Sequence, residues 1–227
     1  MISRSLLFTP LVLGLLTPAA VAETSYGGSV VVAAPTGAFD RYVGVAGGLA
    51  GQAFWSPHAG TLGLRLDGSW LLYGSETVRT PLPAPRTRLN TEITTDNWIA
   101  QVSAGPELRA RRGAVRPYVR AFLGVSYFST TSELTGPEPV PISRVSTNLD
   151  DTVFAYGAGA GLRVPLRSGA WALDLGVDYV DSEPARFLTE GDLGNGTAAL
   201  PRRAQGSRVE FHVGFATFSS RTVTQPR

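Results

Sequence analysis

Few side chains in this sequence can do chemistry. Among its 227 residues there is no cysteine, and the histidines number two, His58 and His212. Thiolate nucleophiles and thiolate zinc sites are therefore excluded, and imidazole chemistry has almost no material. His212 follows Glu210 by two positions on a strand-like stretch, and an acid–histidine pair can move a proton. No serine or second acid is tied to it by spacing, so a hydrogen-bonded interior histidine is expected instead. His58 lies in the turn-like run Ser56-Pro57-His58-Ala59-Gly60. Glu133, Glu138, Asp150 and Asp151 could collect a divalent ion, but their spacing matches no calcium loop. The sequence therefore leads us to expect no catalytic residue, no metal and no cofactor. Charge is what remains: 20 cations, every one an arginine, against 18 carboxylates. A net charge of +2 gives no case for nucleic acid. The densest cationic run, Arg109-Ala110-Arg111-Arg112-Gly113 before Arg116, suits either anionic lipid head groups or a solvated turn.

The elements that position these charges begin after residue 22. Residues 1–22 read as a secretory signal peptide, with Arg4, an apolar stretch from Leu6 to Leu16, and Ala20-Val21-Ala22 before Glu23. The predicted division is a cleaved signal at 1–22, a barrel at 23–218 and a polar tail at 219–227, too short for a peptidoglycan-binding domain. Period-two alternation predicts eight strands at 26–34, 43–55, 61–73, 97–108, 116–128, 152–164, 170–180 and 207–218. In the third, Leu62, Leu64, Leu66, Trp70 and Leu72 share a face opposite Gly63, Arg65, Asp67 and Ser69. Ten charged residues fall within these spans, and all take the face opposite their strand's large apolar residues: Arg65, Asp67, Glu107, Arg116, Arg120, Arg163, Asp174, Asp178, Arg208 and Glu210.

Such two-faced strands suit a soluble sheet or a membrane barrel, and the aromatics discriminate between them. Trp55, Trp70, Trp98, Tyr127, Trp171 and Tyr179 lie near strand ends on the apolar parity, as interfacial girdles require. Connections of 8, 23, 23 and 26 residues alternate with connections of 5, 7 and 5, the pattern of long outer loops and short periplasmic turns. An even strand count with inward termini places 35–42, 74–96, 129–151 and 181–206 outside the cell. In the outer loops Pro81, Pro83 and Pro85 precede Arg86 and Arg88, an extended basic segment suited to lipopolysaccharide phosphates, and the glycine-rich fourth loop reads as mobile.

Three segments carry a family resemblance. Arg116-Pro117-Tyr118-Val119 leading to Phe122–Phe128, then Phe154–Arg163, then Trp171–Tyr179, resemble the later strands of the OmpA-like outer-membrane β-barrel domain family. The resemblance implies an all-β fold, an eight-stranded antiparallel up-and-down transmembrane barrel in the cell outer membrane. Its partners would be outer-membrane lipids, lipopolysaccharide, the barrel-assembly machinery and an unidentified surface ligand. It implies no single activity. Many such barrels end on an aromatic residue, whereas here Phe218 precedes Ser219–Arg227, so an assembly signal would be internal, in Val209–Phe218.

The expected lumen is closed by a charge network of Arg65, Asp67, Glu107, Arg120, Asp174, Asp178, Arg208, Glu210 and His212. Its expected centre is Arg120 with Asp174, across the inward glycines Gly157, Gly159 and Gly161, with Asp178 as the alternate partner. Five inward arginines against five inward acids favour pairing over an open pore. The expected function is a non-enzymatic barrel in envelope structure or surface interaction. A small passive channel is the alternative, and a lipid-A-modifying enzyme is more remote, since His58 would lie on the wrong side of the membrane.

Overall fold

The computed structural model describes residues 23–57, 60–83, 88–135, 143–167, 170–188 and 201–217. The signal segment, His58, Glu138, Pro85, Arg86 and Phe218 lie outside the described residues. The strands are β1 (Glu23–Pro35), β2 (Ala46–Ser56), β3 (Leu62–Pro83), β4 (Arg88–Arg109), β5 (Arg116–Thr135), β6 (Ser143–Pro165), β7 (Trp171–Ser182), β8 (Pro184–Phe187), β9 (Arg202–Gln205) and β10 (Arg208–Thr217). Eight of them close into an antiparallel barrel in the order β1-β10-β7-β6-β5-β4-β3-β2, while β8 and β9 form a separate two-stranded sheet. A 3-10 turn, Phe39–Arg41, follows β1.

The wall is inside-out relative to a soluble protein. Val30, Leu49, Leu64, Leu66, Trp70, Val102, Leu123, Val177, Phe211 and Val213 are exposed on the outside. Arg65, Glu107, Arg163, Asp174, Asp178, Arg208, Glu210 and His212 are buried inside. Alternation along each strand produces both faces at once, because successive side chains point through opposite sides of the wall.

The strands climb as they go round. From Gly63 the pairing runs through Glu107, Arg120, Gly159, Asp178, Glu210 and Ala33 to Ala46. Ala46 is one step past the Gly47–Leu72 pair, so the path returns to β3 at Tyr73 rather than at Gly63. This stagger accompanies the strand tilt that closing a barrel requires.

Two expectations about the long connections are corrected. Segments 74–96 and 129–151 are largely strand: β3 pairs β4 up to Pro83–Arg88, and β5 pairs β6 up to Thr135–Ser143. The reason is that the sequence signal was the apolar alternation imposed by a lipid-facing wall. Beyond it, Thr77, Thr94 and Thr95 keep good strand propensity, and hydroxyl bonds join Thr77 to Thr94 and Thr95 to Ser132 across the strands, with Ser75 donating to Asp96 at 2.7 Å. Register shifts at Leu72/Gly74 and Thr130/Thr131 mark where this four-stranded extension departs from the barrel. The fourth outer segment carries the β8–β9 sheet, while Gly191, Gly194 and Gly196, on which the mobile reading rests, lie outside the described residues. The second and third long outer segments are therefore built largely of paired strand, while the turns at the other end stay short.

The upper lumen is apolar, which the strand periodicity does not signal. Phe39, Tyr73, Phe128 and Phe187 pack there with Val31, Leu71, Ile99 and Val153 as an apolar cluster. Phe39 meets Phe187, Phe128 and Tyr73 edge-on at ring separations of 5.2, 6.0 and 6.2 Å. The hairpin is held in place by Asp151, which accepts from the Arg186 amide at 2.8 Å, and by the Glu183 amide bonded to the Phe154 carbonyl at 2.9 Å.

Candidate functional site

Below the apolar cluster the inward charges form one closed ring. Arg120 donates from Nε and Nη2 to Asp178 at 2.9 and 2.6 Å, and from Nη1 to Asp67. Asp67 also accepts from Arg65 Nε at 2.8 Å, and Arg65 Nη1 reaches Glu107 at 3.0 Å. Glu107 accepts two bonds from Arg163, at 2.8 and 3.1 Å, and Arg163 Nε continues to Asp174 at 3.2 Å. The Tyr118 hydroxyl donates to Asp174 at 2.9 Å and lies 2.9 Å from His212 Nε2. His212 Nδ1, 3.4 Å from Asp178 Oδ2, closes the circuit.

Acid and cation alternate around this ring until Tyr118 and His212 bridge the last two carboxylates. Such alternation is what makes burial tolerable: Glu107 is 0% exposed and Arg163 2% exposed, and an unpaired charge at either place would be costly. Bidentate contacts from Arg120 and Arg163 match the fork of the guanidinium to the carboxylate. The Tyr118 ring lies beneath two guanidiniums, Arg163 at 4.6 Å and Arg65 at 5.5 Å, which adds cation–π attraction to the packing.

Separate pairs lie above and below the ring. Arg208 donates to Glu210 at 2.6 Å and to Gln101 at 2.5 Å, and Gln101 accepts from Ser126. At the lower end Arg109 bonds Glu23 at 2.9 Å with its guanidinium 3.5 Å from the centre of the Phe54 ring. Arg109 is thus corrected from a turn residue to an inward, buried end of β4. Only Arg111 and Arg112 of that run remain exposed in the turn.

The expected central pair also needs correction. Arg120 binds Asp178, and Asp174 belongs to Arg163, Tyr118 and Gln52. Counting residues from the strand ends ignores the stagger; in the real register Arg120 is opposite Gly159 and Gly159 is opposite Asp178. Gly159 leaves the path open, since a Cβ there would overlap the Asp178 carboxylate. Gly161 likewise makes room for the Tyr118 ring. Tyr118 and Gln52 had no signal beyond inward parity.

The girdle residues all face outward. Trp55, Trp70, Trp171 and Tyr179 are exposed, and Trp98 and Tyr127 are half-buried against each other with ring centres 5.4 Å apart. Asp150 and Asp151 belong to β6, and the described residues contain no cluster of three or more potential metal ligands.

Chemically, the ring can seal and stiffen the lumen. His212 touches an acid and a hydroxyl, but the cavity beside it, bounded by Arg65, Asp67, Arg120, Asp178 and Glu210, measures about 20 Å³. That is room for a single water, not for a substrate.

No family model matches the chain, and no curated protein matches it. Solved structures do resemble it. Neisserial surface protein A is 14% identical, with a TM-score of 0.47, over 86% of this chain and 96% of that one. The Yersinia pestis attachment invasion locus protein Ail, solved with the heparin analogue sucrose octasulfate, is 14% identical, with a TM-score of 0.45, over 87% of this chain and 97% of that one. Escherichia coli outer membrane protein W is 12% identical, with a TM-score of 0.42, over 88% of this chain and 98% of that one. At these identities no residue's role passes from one chain to the other.

Proposed function

We infer that this chain is an outer-membrane β-barrel with a closed, salt-bridged lumen, acting without catalysis in envelope structure or surface interaction. The observation that carries the reading is the inside-out wall: Trp70, Leu49 and Phe211 are exposed at 46, 63 and 54%, while Arg163 and Glu107 are buried in the ring. In water that exterior would be one continuous apolar patch, whereas in a bilayer it is solvated and the closed ladder pairs the backbone of the wall almost throughout, the β4–β5 step at Gly105 and Pro106 excepted. The sealed lumen supports a surface role over a passive channel, since conduction requires a continuous aqueous path.

Under this reading the β3–β4 and β5–β6 extensions rise outside the cell as a polar sheet. Above Leu72 the outer edge of β3 is unpaired among the described residues, so the sheet offers a surface ligand both hydroxyl side chains and backbone groups. Lipopolysaccharide and the assembly machinery are the further partners, the latter reading Val209–Phe218.

The test is fractionation followed by single-channel recording. The mature chain is expected in the outer membrane, to run faster on detergent gels before boiling than after, and to pass no porin-size current. Recovery from the soluble periplasm would overturn the membrane assignment, and an ohmic porin-size conductance would overturn the closed lumen.

A further inference from the structure

Among the described residues the outer wall is interrupted beside Pro106. In β4, Gly105 and Pro106 pair with β3 but not with β5, whose ladder jumps from Ala104–Leu123 to Glu107–Arg120. Proline has no N–H to give the ladder, so the seam opens at Pro106. The outward residues there are small: Ala121 and Ala158 pair across β5 and β6 beside Pro106, while Leu62, Leu108 and Val119 form a taller row just below. Two shallow, open hollows lie on this face, one of about 290 Å³ beside Pro106 and Ala121 and one of about 390 Å³ below it between Thr61, Ala110 and Pro117, with Leu108 and Val119 bordering both. The larger reaches Ala110, in the turn that carries Arg111 and Arg112.

Charge at this end has one sign. The three short connections contain Arg111, Arg112 and Arg167 and no carboxylate. Glu23, the acid at the start of β1, is held by Arg109 inside the barrel. Arg111, Arg112 and Arg167 are exposed.

Resting on the membrane reading above, we propose that this seam binds one anionic glycerophospholipid, an acyl chain lying in the Pro106–Ala121 hollow and the phosphate over Arg111 and Arg112. Apolar hollows on the lipid-facing wall, next to a turn with two exposed arginines, are complementary to a molecule that joins an acyl chain to an anionic head group. A zwitterionic lipid fills the hollow equally well but gains less from the arginines.

The test uses the whole mature chain refolded into vesicles of phosphatidylcholine with a minor share of phosphatidylglycerol, then extracted in mild detergent for native mass spectrometry. Wild type is expected to retain phosphatidylglycerol in preference to phosphatidylcholine. Arg111→Gln with Arg112→Gln should lower that preference about fivefold per charge removed. Ala121→Phe, which fills the hollow from outside, should reduce retention of both lipids while the protein still migrates as a folded barrel. Equal retention of both lipids by wild type, an unchanged preference in the arginine variant, or undiminished retention in Ala121→Phe would each overturn the site. Failure of wild type to float with the vesicles would overturn the membrane reading and the site together, whereas a floated, folded chain without preference overturns the site alone.

Discussion

At the scale of single residues, the lumen is a matter of who pairs with whom. Arg120 and Asp178 share a bidentate contact in a buried setting. Removing Arg120 leaves Asp178 with only the longer His212 contact, and removing Asp178 leaves Arg120 with only Asp67; each change is expected to cost up to about 3–5 kcal/mol, and removing both should cost less than the sum. Arg120→Ala with Asp174→Ala should come much closer to additivity, because Asp174 contacts other partners. Denaturant titration of refolded protein measures all of these, and strong coupling to Asp174 with none to Asp178 would refute the register. A companion measurement reads the path between the two strands. Gly159→Ala puts a methyl group against the Asp178 carboxylate and should destabilise by about 1–3 kcal/mol. Gly68→Ala, with open space around its Cβ, should be close to neutral. Parity made the inward side of Arg65, Asp67 and Glu107 legible from sequence, since every second residue must face the lumen. Partners were not legible, because they depend on the stagger accumulated over several strands, which no single strand records.

At the scale of elements, what the sequence reveals depends on the solvent each face meets. β1, β7 and β10 were readable to within about three residues at each end, because lipid on one side and a packed lumen on the other force apolar and polar residues to alternate. The upper parts of β3, β4, β5 and β6 have polar groups on both faces and therefore look like loop. β8 and β9, four residues each, are too short to show any period. Hydrogen exchange tests the extension directly. Amides of 88–97, paired to β3 and from Glu92 also to β5, and the alternate amides of 74–83 that face β4 should exchange more slowly than those of a free peptide. Exchange of 74–83 at the rate of a free peptide would show that the sheet ends at the membrane.

For the whole molecule, the closed-lumen reading rests on two layers in series among the described residues, built from opposite physical materials. The ionic ring resists an ion by filling its path with matched charge, and the apolar cluster of Phe39, Phe128 and Phe187 resists it by offering no hydration. The two layers also have different origins: the ring comes entirely from barrel strands, whereas Phe39 and Phe187 enter from connections folded into the mouth. That difference makes them separable by substitution. Replacing 184–205 with a short Gly/Ser linker removes β8, β9 and Phe187 and leaves every member of the ring in place. Planar-bilayer recordings of that variant should stay near baseline, since the void beside the ring admits only about one water. Arg120→Ala with Asp178→Ala in the full-length chain should also stay near baseline, with the apolar layer still shut above the vacated ring positions. Joining the two changes should give a steady ohmic current, larger than the sum of the separate effects, because current through barriers in series rises only when both are lowered. Full conductance from the linker variant alone would show that the ring does not seal, and no current from the combined variant would place the barrier in the Arg163–Glu107–Arg65 side of the ring that both changes leave intact.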